Sequence, residues 1–410
     1  MSALAGIRVI ELASERIAFA GKLLADMGAD VILVEPPNGD RARNYPPFAG
    51  DVAGEERSLW WWHYHTSKRG VTLDIDRTGD QARMRDLIAG ADILLESEPP
   101  GRLARLGLDY EDLASVCPGL VFVSITPFGR GSANAAAPVT DLTLLAGAGP
   151  AWNCGYDDHE LAPVRGGGGQ GYHTGCHFAV MSALTALFHR LMGGRGQLID
   201  LSLHAALNVT TEGGSYNWLV AGETIQRQTG RHAAVSPTED TQALCKDGRW
   251  INTGMPPRAA PEFAEVLAWM GELGLVDDFP DAVFLEMGAA REAAITFDQI
   301  GSDAEATAIF SAGRAALIHL AAAVTAYDFF VGCQRRGIAV GVIYAPEEAF
   351  EDAHFKARGF QVAVPHDGDG QPVRYPGAPY RLSATPWAIS RRAPRLGEHN
   401  REILPPRAAD

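Results

Sequence analysis

The residues best suited to chemistry in this chain are short basic segments beside apolar runs. Gly39-Asp40-Arg41-Ala42-Arg43 follows DVILVE, Ser67-Lys68-Arg69 precedes a third apolar run, and Arg102 and Arg105 follow a fourth. Cations gathered at the carboxyl ends of parallel strands suit a phosphate-bearing ligand. Each is equally readable as a solvated surface charge. Gly166-Gly167-Gly168-Gly169-Gln170 would let a backbone approach a ligand or an oxyanion closely, or serve as a plain loop before a helix. Trp60-Trp61-Trp62-His63-Tyr64-His65 could stack on an adenine or an acyl group, although core packing is the commoner use of such a run. Cys176-His177 has the types of a nucleophile and its base, but adjacent helical residues point about a hundred degrees apart. Neither a GxGxxG nor a P-loop motif occurs, so the usual dinucleotide and nucleotide sites lack support.

The elements that must position these groups alternate along the first half. GIRVIE reads as a strand, AFAGKLLADMG as an amphipathic helix and DVILVE as a second strand closed by Pro36-Pro37. That is a βαβ unit, and it calls for a parallel sheet. Val71–Ile75, Asp92–Leu95 and Leu120–Ile125 continue the strands, with a helix over Gln81–Ala89. A glycine-rich loop over 147–171 leads to an apolar helix over His177–Met192, and LIDLSL reads as a further buried strand. The texture changes near Thr224, with a strand at 248–253 and Ala-rich helices over roughly 260–327. The fold class is therefore α/β, doubly wound, with a second, smaller domain.

A net charge of −15 argues against nonspecific nucleic-acid or membrane-surface binding, so an anionic ligand would need a locally basic pocket. Hydrophobic residues at 46% and charged residues at 21% exclude a disordered chain. The five cysteines form no CxxC pair, so neither a disulfide framework nor a zinc site is expected. The opening MSALAGIRVIELASE does not read as a signal peptide, and no run approaches the roughly 18 apolar residues of a membrane span. A cytoplasmic protein without a metal is the expectation.

These fragments also resemble, in order, the class III CoA-transferases, the group of formyl-CoA transferase, carnitine CoA-transferase and α-methylacyl-CoA racemase. The resemblance runs through LAGIRVIELAS, LLADMGADVILVEPPNGDRAR, SKRGVTLDI, LVFVSITPFGRG, TDLTLLAGAG, GRGQLIDLSL, GCQRRGIAVGVIYAPEE and APRLGEHNREIL. It implies a large Rossmann-like domain from both chain ends (1–223 and 328–410), a small inserted domain (224–327) and chains interlocked in a dimer. It implies coenzyme A or an acyl-CoA as substrate, bound by Arg43, Lys68, Arg69, Arg105 and Phe128.

In that family one Asp attacks the acyl-CoA thioester, holds the acyl group as an anhydride, and then holds CoA as an aspartyl thioester. Only a carboxylate can carry both in turn. Counting back from Gly175 puts its position at Gly171, and counting back from Gln197 puts it at Gly171 or Tyr172. No acidic residue lies between Glu160 and Asp200. Asp141 matches a different, upstream acid of the family, and Thr140 stands where the racemases carry a catalytic His. The family's CoA-touching Asn-Phe-Arg-Pro-Gly turn reads Ser97-Glu98-Pro99-Pro100-Gly101 here, which brings in an acid.

Three readings follow. In the first, the chain is a CoA-transferase subunit without a catalytic Asp. It would move CoA between an acyl-CoA such as succinyl-CoA and a carboxylic acid, beside a homologous catalytic subunit, as in the benzylsuccinate CoA-transferase type. In the second, it is a self-sufficient CoA-transferase or CoA-linked lyase using Tyr172, His173 or Asp141. The third is a non-enzymatic acyl-CoA-binding protein.

Overall fold

A computed structural model describes residues 2–366 and 371–404. The chain divides into two compact units: residues 1–151, 165–212 and 352–410 form the first, and residues 152–164 and 213–351 the second. The joins expected at 223/224 and 327/328 both lie within the second unit's range.

The first unit is built on β1 (Arg8–Leu12), α1 (Ala18–Asp26), β2 (Asp30–Glu35), α2 (Leu59–Tyr64), β3 (Arg69–Thr72), α3 (Thr78–Ala89) and β4 (Ile93–Glu96). It continues with α4 (Arg102–Arg105), α5 (Tyr110–Leu113), β5 (Val121–Thr126), α6 (Asp141–Ala148), α7 (Gln170–Leu191), β6 (Leu198–Ser202) and α8 (Leu203–Asn208). The six strands pair in parallel in the order β3-β2-β1-β4-β5-β6. This is the Rossmann order, in which the chain reverses direction across the sheet between β1 and β4.

Two apolar layers explain why these strands are near-continuous hydrophobic runs. Val9, Val31, Ile93, Val121 and Val123 face α1 and α7, where Leu24, Cys176, Ala179 and Ala183 are buried. Ile10, Ile32, Leu94 and Phe122 face the other way, onto Met84, Ile88, Leu103 and Leu113. Period-two alternation within each strand thus feeds two cores at once.

The short α9 (Glu212–Tyr216) spans a join between the units. The second unit then carries the hairpin of β7 (Gln226–Gln228) and β8 (Arg231–Ala234), and an antiparallel sheet of β9 (Gln242–Leu244), β10 (Trp250–Thr253) and β11 (Val340–Val342). Around that sheet lie α10 (Ala260–Glu272), α11 (Ala282–Ala289), α12 (Ala304–Ala323) and α13 (Ala326–Arg335), whose core holds Phe263, Met270, Leu285, Ile309, Leu317 and Phe329. By length and composition α12 could cross a membrane, but half of it is buried and it is the core helix of this unit.

Candidate functional site

The switch point between β1 and β4 is where an open parallel sheet offers a crevice, and the ends of several elements converge near it. Thr140 caps α6 through a reciprocal bond with Thr143, which places Asp141 in the first turn. Asp141 Oδ1 accepts from the Tyr172 N–H of α7 at 2.9 Å. This bond satisfies one of the free N–H groups at the start of α7. Sequence reasoning began the helix at His177, whereas it begins at Gln170. The capping acid lies far away in the chain, so no local pattern announces it.

Gly171 is where α6 and α7 come close. A Cβ there would lie 2.7 Å from Asp141 Oδ1 and 3.4 Å from Leu207 Cδ1. Asp141 Oδ2 is covered by protein and has only Arg165 near it, at 3.5 Å. The carboxylate of Asp141 therefore occupies the room that a side chain at 171 would need. One of its oxygens binds the backbone and the other is shut away from solvent.

Beside this sits a neutral pair. His173 Nε2 and Tyr64 Oη are 2.6 Å apart, and the imidazole stacks on Phe19 at 4.2 Å between ring centres. Burial pushes the His173 value down and the Tyr64 phenol up to about 12. The two share one hydrogen bond, and the opposite shifts favour the neutral form of each. Tyr172 is buried, and its phenol is pushed up by burial and by Glu15, against the opposing pull of Arg16.

The exits of β4 and β5 are acidic. Glu96, Glu98, Asp109, Ser124 and Arg130 line one small cleft. Glu96 is pushed up to about 7 by burial, eased by Ser124 and the Glu98 N–H. Glu98 pairs with Arg102 at 2.8 Å, and Arg130 pairs with Asp109. Among the described residues no group of three His, Cys, Asp or Glu could hold a metal ion.

The profile of CoA-transferase family III matches residues 4–400. The chain belongs to that family. It is 32% identical over 402 residues to the succinyl-CoA:(R)-benzylsuccinate CoA-transferase subunit BbsE of Thauera aromatica, covering 97% of this chain and 92% of that one. It is 30% identical over 405 residues to the succinyl-CoA–D-citramalate CoA-transferase of Chloroflexus aurantiacus, covering 97% and 92%. A solved CAIB/BAIF family protein from Brucella suis superposes with a TM-score of 0.78 at 25% identity, covering 98% of each chain.

For a family III CoA-transferase, the cations expected at CoA fall into two groups. Arg43 is 1% exposed, binds both oxygens of Glu35 at 2.7 and 2.8 Å, and lies over the Trp61 ring at 3.9 Å. Lys68 is fully buried, held by Glu11 at 2.8 Å, the Ala18 carbonyl at 2.9 Å and His65 Nδ1 at 3.1 Å. Arg69 grips Asp30 at 2.8 and 2.6 Å and also meets Glu402 at 2.5 Å. In this structure all three are engaged by acids of the same chain, Arg43 and Lys68 in the interior and Arg69 nearer the surface. Arg105 is exposed, and Phe128 is half-buried beside His204.

Arg16, in the loop from β1 to α1, was missed by sequence reasoning. Its Nε is buried without a partner, and its charge acts on both Tyr172 and Glu98. The signal was present: Arg16 is the sole cation between the first strand and the first helix of a Rossmann order. The remaining motifs are structural. Trp61 is buried, with Nε1 donating to the Pro394 carbonyl at 3.1 Å. Cys176 is buried and pushed up to about 12 by burial while His177 is exposed, so the two form no nucleophile–base pair. The GGGGQ run is the turn into α7, braced by Arg165 on the Gly166 and Gly168 carbonyls at 2.9 and 2.6 Å.

Proposed function

We propose that this chain is a class III CoA-transferase subunit without its own nucleophile. It works beside a homologous subunit that carries the catalytic Asp, in CoA transfer from succinyl-CoA to an organic carboxylic acid. One observation carries the reading: where α7 begins there is no free carboxylate, and the space for one is filled by Asp141 holding the helix. His173 or Tyr172 could accept an acyl group but could not then hold CoA as a thioester, because neither brings a carbonyl carbon. Arg16, Arg105 and Phe128 are the groups left to meet CoA in this chain.

Two observations support a partner. The relative from Thauera aromatica is named as a subunit. In the first unit Met181, Phe188, Leu191, Met192 and Val209 are exposed, an apolar display that invites coverage by another chain. A second reading, a self-sufficient CoA-linked enzyme, draws on the Tyr64–His173 pair as its proton-transfer group.

The test is co-expression with a homologous chain bearing the Asp. The pair should exchange CoA between succinyl-CoA and a carboxylic acid, this chain alone should not, and Asn in place of the partner's Asp should abolish the activity. Exchange by this chain alone would overturn the proposal.

A further inference from the structure

The second unit contains a cavity of about 1080 Å³ that the transferase reading does not use. It is large enough for a small organic molecule. Arg314, on α12, lines it and is 7% exposed. Its Nη1 donates to the Thr253 hydroxyl, its Nε has no partner, and among the described residues no carboxylate forms an ion pair with it; the Glu239 charge acts on it from the same wall without bonding it. Buried guanidinium groups are almost always paired, so an open one marks an anion's place. The neighbouring Arg231 shows the contrast, since Asp157 at 2.8 Å and Asp240 at 3.1 Å close it off.

Two further polar atoms of the lining also lack partners, Thr241 Oγ1 and Glu239 Oε2, while Glu239 Oε1 accepts from the Ser311 hydroxyl. Met255, Phe297, Ile300, Phe310 and Val340 supply an apolar part of the wall, and His232, Ser236 and Asn252 add polar groups elsewhere on it. Phe297 is 61% exposed at the rim, with Arg258 over its ring at 4.6 Å.

We propose that this cavity binds an organic acid with one carboxylate and an apolar body. The planar guanidinium edge of Arg314 accommodates the carboxylate, assisted by the Thr241 hydroxyl. The ring or alkyl body lies against Phe297, Ile300 and Phe310. Glu239 repels a second carboxylate, so dicarboxylates are disfavoured. The proposal stands apart from the transferase reading, because binding here needs neither CoA nor a partner chain.

Titration calorimetry on the full chain tests it, with phenylacetate, its uncharged isostere phenylacetamide, and succinate. Phenylacetate should bind saturably, the amide and succinate about tenfold more weakly or not at all. Arg314→Gln should cost phenylacetate binding by about the same factor. Glu239→Gln should leave phenylacetate binding in place and admit succinate. No saturable phenylacetate binding, equal binding of the amide, or equal binding by Arg314→Gln would each overturn the proposal. The amide comparison uses the unaltered chain and so holds even if Arg314→Gln folds poorly.

Discussion

The cations beside β1, β2 and β3 and the cation on α12 live under opposite conditions. Lys68 and Arg43 are buried against Glu11 and Glu35, with their donors directed at oxygens of the same chain. Arg314 is buried less completely and has no bonded acid, only the charge of Glu239 acting on it without an ion pair. All three look alike as letters in a sequence. What separates them is whether the fold has already supplied the opposite charge, and only a cation left open is available to a ligand. By that criterion Arg43 and Lys68 are engaged by their own chain, whereas Arg16 and Arg314 each keep a buried Nε without a partner.

The largest effect should come from removing the same charge in both regions. Lys68→Met leaves Glu11 buried without its cation and should cost about 3–5 kcal/mol of stability. Arg314→Met removes a charge that no acid pairs directly and should stay within about 1 kcal/mol of the parent. Urea denaturation of the two variants compares them directly. Equal losses would erase the distinction between paired and open cations.

A smaller effect is expected at Glu96, the converse case of a buried acid without a bonded cation. It is 4% exposed, and its value stands at about 7 against an ordinary 4.5. A raised carboxyl favours the fold while protonated, so its contribution is full below pH 4.5 and is lost as pH rises through about 7. Glu96→Gln should therefore stabilise the chain by about 2 kcal/mol above pH 7.5 and flatten the dependence between pH 5 and 7. Melting curves across that range check it, and an unchanged slope would show that Glu96 is ionised throughout.

Much of the fold was legible because local signals agreed with the global answer. The unbroken apolar runs and the first βαβ unit announce a parallel sheet buried on both faces, and that is the sheet observed. The start of α7 was not legible, since Asp141 caps it from a distant part of the chain. The candidate site was read only in part. That no acidic residue lies between Glu160 and Asp200 follows from the letters, but the pairing of Lys68 with Glu11 joins the approach to β3 with β1 and depends on the order and register of the strands. Arg16 was overlooked because one cation in a short loop has no motif around it. Arg314 lies in an Ala-rich helix whose pattern says only that it is buried.

Covalent trapping tests the central claim most directly. The chain, alone and co-expressed with an Asp-bearing homologue, is incubated with succinyl-CoA, treated with hydroxylamine or borohydride, and mapped by peptide mass spectrometry. The account predicts an adduct on the partner's Asp in the pair and none on this chain in either sample. An acyl or CoA adduct on Asp141, Tyr172 or His173 would contradict it.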